Sequence, residues 1–139
     1  MTREAAAPLG IIELGAVCAR QRAINLDLFE RLGNLVTASA TTAGADQQLL
    51  AAACHRHAWH AELWAGRAPS IPPVHADGAF DRSVDAHRGN LEFVTDVATY
   101  HSTAAALRAE LTDLLERVDP LLDPSTARTI QLVLADLAD

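Results

Sequence analysis

The sequence has no lysine and no cluster of basic residues. Its 11 Lys+Arg positions are all arginine and are scattered among 18 Asp+Glu, which gives a formal net charge of −7. Nucleic acids and anionic membrane surfaces bind proteins through concentrated Lys and Arg side chains. The composition therefore argues against both as partners.

Long apolar runs are missing as well. The first residues, Met1 to Val17, carry Glu4 and Glu13 and never build a basic head followed by a continuous apolar core. We expect neither a signal peptide nor a membrane span. The two cysteines, Cys18 and Cys54, are too few for a disulfide scaffold, so a reducing cytoplasm is the expected location.

Several motifs that identify common enzyme classes are also absent. The sequence has no Gly-rich loop that would cradle a phosphate and no Cys-x-x-Cys pair. Cys54 shares a predicted helix with its nearest histidines and lies on the stripe expected to pack, which does not suit a thiol nucleophile. These absences exclude several reaction classes and select none.

What the chain does have is helix-forming composition. Half of its 139 residues are apolar, mostly alanine and leucine, while aromatic residues make up only 4%. That length provides one well-buried core and not two. We therefore predict one all-α domain over residues 1–139.

Apolar periodicity and capping residues predict four helices. They run from Ile11 to about Ala40, from an Asp46 N-cap to about Arg67, from an Asn90 N-cap to about Val118, and from Asp123 with Pro124 in the first helical position. Residues 68–89 carry the prolines and glycines of a long connection. A short connection before the second helix and this long one predict two antiparallel helical hairpins joined by a crossover, as a four-helix bundle.

Three of the six histidines lie close together in the second predicted helix. At about 100° per residue, His57 and His60 share one face and His55 lies on the other side. The core stripe of this helix consists of Leu50, Cys54, His57, Ala61 and Trp64. The stripe of the first helix consists of Leu14, Cys18, Gln21, Ile24 or Asn25, Leu28, Leu32 and Leu35. On the third helix the predicted stripe consists of Leu91, Val94, Ala98, His101, Ala105, Leu111, Leu115 and Val118, which makes His101 the inward polar residue, with Tyr100 beside it.

This layout resembles the ferritin-like superfamily, whose iron-binding members carry Glu-x-x-His on the second and fourth helices. The second motif aligns with His57-Ala58-Trp59-His60 and the fourth with Asp136-Leu137-Ala138-Asp139. The resemblance implies a metal-dependent enzyme acting on a small molecule. The candidate ligands for Fe, Mn or Zn are His57, His60, His101 and Asp136.

Two other interpretations stay open. A histidine on a core stripe more often bonds a carbonyl or a water than a metal, so the chain is alternatively a metal-free helical enzyme or small-molecule binding protein that has lost the diiron site. The other interpretation is a helical interaction module.

Because the fourth predicted helix is much shorter than the first, part of the apolar face of the bundle is not covered by a fourth helix. We therefore expect a homodimer.

Overall fold

The computed structural model describes residues 7–38, 44–69 and 91–138, and in these ranges the chain is all-helical, with no strand. The helices are α1 (Ile11–Ala38), α2 (Gly44–Arg67), α3 (Val97–Glu116) and α4 (Pro124–Asp136). For the described residues, the predicted all-α class with four helices is confirmed. None of the helices described is long and apolar enough to cross a membrane. Apart from Ala68 and Pro69, the predicted crossover lies outside the described residues.

The start of α4 follows the sequence prediction. The Asp123 carboxylate accepts a hydrogen bond from the backbone N–H of Thr126, at 3.1 Å, and Pro124 occupies the first turn. An aspartate cap satisfies one of the free amides at a helix start, and proline there loses no helical hydrogen bond. The sequence was decisive at this end because both signals coincide.

The predicted start of the third helix is wrong. The helix begins at Val97, where the Asp96 carboxylate accepts from the backbone N–H of Thr99 and the Thr99 hydroxyl accepts from the backbone N–H of Asp96. This reciprocal pair is a capping box and stops the helix from extending towards the N-terminus. Residues 91–96 are not helical, and Asn90 lies outside the described residues.

The second helix differs from its prediction in the other direction, because it begins before Asp46. Gly44 is its first described residue. Asp46 lies in the first turn, where a carboxylate still interacts favourably with the positive end of the helix dipole. The prediction located the helix correctly and misassigned the role of this aspartate. The start of α1 at Ile11 is confirmed.

Helices α1 and α2 form the predicted antiparallel hairpin, as two contacts between them show. Asn25 meets His57, and one turn further along α1 the Phe29 carbonyl accepts from the thiol of Cys54, which lies one turn earlier on α2. Residues therefore advance along α1 as they recede along α2. Each contact between the two helices therefore shows which residues of α1 and α2 lie at the same level along the bundle axis.

The third helix runs antiparallel to α1. The Arg31 guanidinium donates to the Val94 carbonyl just before α3, while the backbone N–H of Leu9 donates to the Arg117 carbonyl just after it. Since α2 is also antiparallel to α1, α2 and α3 run in the same direction.

The fourth helix packs against α2 with the opposite direction. Arg67 Nε donates to the Thr126 hydroxyl at the start of α4, and Arg56 donates to the Asp136 carbonyl at its end. The order of directions along the chain is therefore up, down, down, up.

The core lies between all four helices and confirms the predicted stripe of α1. Six of the residues on that stripe are buried: Leu14, Cys18, Gln21, Asn25, Leu28 and Leu32. Burial raises the pKa of the Cys18 thiol to about 12, so this cysteine is a packing residue. Two members of the stripe, Gln21 and Asn25, bring polar groups into the interior.

The predicted inward face of the third helix is wrong by one position. Tyr100, Ala104, Leu107, Leu111 and Leu114 are buried, whereas His101 and Ala105 are exposed. The prediction took its phase from Leu91 and Val94, which precede the helix and do not share its period. A one-residue shift turns a helix by about 100°, which exchanges Tyr100 for His101 at the core.

Candidate functional site

A chain of hydrogen bonds through His57 joins three helices in the interior. His57 Nδ1 lies 2.7 Å from Asn25 Oδ1 on α1, and His57 Nε2 lies 2.9 Å from the Tyr100 hydroxyl oxygen on α3. All three side chains are buried, with His57 and Asn25 fully inaccessible. The His57 and Tyr100 rings meet nearly edge to face, with centroids 5.7 Å apart. Both ring nitrogens of His57 therefore have partners.

The position of each proton in this chain follows from Asn25. Its Nδ2 donates to the Gln21 carbonyl at 2.7 Å, and a carbonyl can only accept, so the amide oxygen must face His57. His57 Nδ1 then carries the proton and donates to that oxygen. The bare Nε2 accepts from the Tyr100 hydroxyl. A neutral imidazole with the proton on Nδ1 satisfies every group in the chain.

Electrostatics favour the same neutral state. Burial, together with the positive charges that His60 and Arg56 can carry, lowers the pKa of His57 to about 3. Burial also raises the pKa of Tyr100, an effect that the Arg56 guanidinium partly opposes. The phenol and the imidazole are therefore both uncharged at neutral pH.

His60, one turn along α2, joins the same interior to α4. Its Nε2 lies 2.8 Å from Asp136 Oδ2, and its ring stands edge to face with His57 at 5.6 Å between centroids. The pKa of His60 is lowered by burial, against the hydrogen bond and charge of Asp136, which raise it. The Asp136 side chain is 42% exposed, so its carboxylate contacts both the solvent and the buried His60 ring.

Three buried side-chain atoms in the described part of the chain have no hydrogen-bond partner: Gln21 Oε1, His60 Nδ1 and Trp64 Nε1. The pairing of Asn25 with His57 sets Gln21, one turn earlier, level with residues 60–64 of the antiparallel helix. The three unpartnered atoms and the bond between Asn25 and His57 therefore lie in one polar layer of the core. Trp64 fills the core, as its position on the predicted stripe indicates.

The four predicted metal ligands are only partly brought together. His60 and Asp136 are paired and His57 adjoins them, but both nitrogens of His57 are already bonded to oxygen atoms, and His101 is exposed. Across residues 7–38, 44–69 and 91–138, no three His, Cys, Asp or Glu side chains are grouped so as to hold a metal ion. As folded, these side chains do not fit a three- or four-ligand metal site.

Beside this network lies a small pocket of about 140 Å³ between α2, α3 and the end of α4. Tyr100, whose hydroxyl bonds His57, forms part of its wall. The remaining lining is mostly small and apolar, with one arginine and one histidine: Leu49, Ala52, Ala53, Arg56, His101, Ala104 and Leu137. The Arg56 guanidinium is held in place by its 2.9 Å bond to the Asp136 carbonyl.

A wider groove of about 540 Å³ follows the outer side of α2 and α4. Trp59 and Leu132 line it and are half exposed, with Arg67 and Arg128 among the polar residues of its wall. The groove does not include the His57 network. It is a broad surface depression and offers no set of convergent buried groups.

Sequence reasoning missed the partners that define the site. Asn25 and Gln21 were visible as polar residues on the apolar stripe of the first helix, which is a signal for a buried hydrogen-bond network. Tyr100 was hidden by the one-residue error in the phase of the third helix. Nothing in the sequence signalled Arg56, because its position depends on where α4 ends.

Comparison with known proteins adds no assignment. No family model matches the chain, and neither a curated protein nor a solved structure is similar to it.

Proposed function

We propose that this protein is a metal-free, ferritin-like helical bundle that binds a small molecule in the pocket beside Tyr100. The observation that carries the proposal is that Tyr100 belongs both to the pocket wall and to the buried hydrogen-bond chain. A pocket wall fixed from behind is pre-organised, which lowers the cost of ordering it on binding. Apolar lining with a few fixed polar groups is typical of small-molecule sites.

The helix directions support the ferritin-like part of this proposal. A bundle of two antiparallel hairpins joined by one long crossover has its second and third helices running in the same direction. The contacts of α1 with α2 and α3 give that arrangement here. The ferritin-like layout that the sequence resembles has this same order of helix directions.

Binding suits the network better than acid–base catalysis through His57. The pKa of His57 is lowered to about 3 while burial raises the pKa of Tyr100, so the proton between them stays on the Tyr100 oxygen. A general base works best with a pKa near the operating pH. The hydrogen bond therefore holds Tyr100 in position and does not activate it.

A matched pair of variants tests the proposal. Ala52 lines the pocket and is exposed, whereas its neighbour Ala51 is exposed and does not line it. Ala52→Leu adds three carbons to the pocket mouth without disturbing the core, and Ala51→Leu makes the same chemical change elsewhere on the same helix. Both substitutions keep a strong helix former.

The experiment is a titration of the natural chain with a library of small organic fragments, followed by NMR. We expect binders to shift the Tyr100 ring and the Ala53 and Ala104 methyl signals. Ala52→Leu should weaken those binders about tenfold or more, while Ala51→Leu leaves them unchanged. If no fragment shifts these signals, or if Ala52→Leu binds as the natural chain does, the pocket is not a ligand site.

A second candidate function is a metal-dependent enzyme, favoured by the pair formed by His60 Nε2 and Asp136 Oδ2 at 2.8 Å. An imidazole and a carboxylate on facing helices are two of the ligand types that Fe, Mn or Zn take. Elemental analysis of tag-free protein tests it directly. Near-stoichiometric metal that is lost in His60→Ala would support it, and the absence of metal after anaerobic reconstitution would remove it.

A further inference from the structure

Among the described residues, Arg56 is the only one with a fixed charge in the wall of the pocket beside Tyr100. The other lining residues within 7–38, 44–69 and 91–138 are aliphatic apart from Tyr100 and His101, and none of them is a carboxylate. In the described part of the chain, Arg56 forms no ion pair with a carboxylate; its bond is to the Asp136 carbonyl, which is neutral. A pocket whose described lining carries a positive charge and no carboxylate is unexpected in a chain with a net charge of −7.

We infer that the pocket binds a short-chain carboxylate, with Arg56 holding the anionic end and the alanine and leucine side chains contacting the alkyl end. This inference rests on the proposed function, since it names the class of molecule for the same pocket. An arginine guanidinium has five N–H groups, so its single bond to the Asp136 carbonyl leaves capacity for a two-point contact with a carboxylate. The exposed His101 ring provides a further donor at the pocket mouth.

The size of the pocket limits the length of the ligand. The pocket offers about 140 Å³, which is small for a ligand site. A monocarboxylate with a short alkyl chain fills that space with its charged group at Arg56. Drug-sized ligands occupy pockets of about 300 Å³ or more and are too large.

The electrostatic effect of Arg56 reaches the groups behind the pocket wall. Its positive charge contributes to lowering the pKa values of His57 and His60 on α2, and it opposes the rise in the pKa of Tyr100 on α3. These side chains are buried, and buried surroundings screen a charge less than water does. An anion in the pocket would therefore interact strongly with Arg56, and the neutral Tyr100 and His57 would not oppose it.

Butyrate and its neutral counterpart butyramide are the probes that test the class. They have nearly the same shape and differ in charge, and the NMR signals of Tyr100, Ala53 and Ala104 report their binding at matched sodium concentration. We expect butyrate to bind about tenfold or more tightly than butyramide. Arg56→Gln should abolish that preference. Arg128→Gln, which removes an exposed arginine of the outer groove, should retain it.

The outcomes separate this inference from the proposed function. Equal binding of butyrate and butyramide overturns the carboxylate class and leaves the pocket as a binding site. If neither probe binds while other fragments do, the class is again wrong and the pocket stands. If no fragment binds at all, both fail. Should Arg56→Gln not fold, the comparison of the two probes on the natural chain still decides the question.

Discussion

His57 Nε2 lies 2.9 Å from the Tyr100 hydroxyl oxygen, and both side chains are buried. Because Asn25 fixes the proton on the other ring nitrogen, this bond has one direction, from tyrosine to histidine. It links the interior of the bundle to the wall of the pocket.

Removing the Tyr100 hydroxyl should destabilise the fold. Tyr100→Phe keeps the ring and leaves a buried nitrogen lone pair on His57 without a partner, which costs about 1–3 kcal/mol. The control is Ser102→Ala, which removes an exposed hydroxyl from the same helix and should cost less than about 0.5 kcal/mol. Urea unfolding measures both free energies, and equal losses would contradict the hydrogen-bond assignment.

Stability should fall in acid because His57 stays neutral in the fold. The unfolded chain takes up a proton near the ordinary pKa of 6.5, while folded His57, with a pKa of about 3, does not. Below pH 6.5 the free energy of unfolding therefore drops by up to about 1.4 kcal/mol per pH unit from this residue. Burial of His60 acts in the same direction. Above pH 6.5 neither histidine contributes a slope.

His57→Gln and His55→Gln test the source of that slope. The first variant removes the buried imidazole and should flatten the dependence of the unfolding free energy on pH between neutral and acid. The second removes an exposed imidazole on the same helix and should leave the slope as it is. A slope unchanged in His57→Gln would show that other groups cause the acid sensitivity.

The sequence was sufficient for the fold class and for the parts of each helix that carry strong local signals. Asp123 with Pro124 located the start of α4, and the 3,4 spacing of the first helix identified its buried face, including Gln21 and, as the alternative to Ile24, Asn25. These features are local, because a cap or a stripe depends on neighbours within a few residues. His57 was placed on the core stripe of α2 for the same reason, with His60 at the edge of that stripe.

The rest of the site depends on contacts between helices. His101 was predicted to face inward because the phase of the third helix was carried over from Leu91 and Val94, and the capping box at Asp96 shifts the start of the helix past both. Asn25, His57 and Tyr100 meet only when three helices reach their register. Pairing of this kind is set by packing across the core and leaves no pattern along one stretch of chain.

Asp136 should stabilise the bundle through His60. Asp136→Ala leaves the His60 Nε2–H without its acceptor and should cost about 1–2 kcal/mol, whereas Asp136→Asn keeps an oxygen that accepts the same hydrogen bond and should cost less. Asp113→Ala changes an exposed aspartate of α3 and is the control, with a loss below about 0.5 kcal/mol. If Asp136→Ala behaves like Asp113→Ala in thermal and urea unfolding, the pair is not structural.

The predicted homodimer should involve the end of the bundle that α4 does not reach. At 13 residues α4 is about 20 Å long, against about 42 Å for the 28 residues of α1, and it ends level with Arg56. Leu49 and Phe93 lie beyond that level and are 37% and 59% exposed. Exposed apolar side chains of this kind are typical of a subunit contact.

Sedimentation velocity over a wide range of protein concentration measures this association. We expect a dimer for the natural chain and a weaker one, by about tenfold or more, for Phe93→Glu. Leu122→Glu places the same charge on an exposed apolar residue at the opposite end and should leave the dimer intact. A natural chain that is monomeric at every concentration would contradict the prediction.

The most direct test of the account is a long-range ¹H–¹⁵N NMR measurement on the two ring nitrogens of His57. We predict a neutral ring with the proton on Nδ1 and a bare Nε2, unchanged between about pH 5 and 8, where an ordinary histidine titrates. Added Zn²⁺ should not shift either signal, since both nitrogens are committed to Asn25 and Tyr100. Titration of His57 in that range, or displacement of its signals by the metal, would contradict the account.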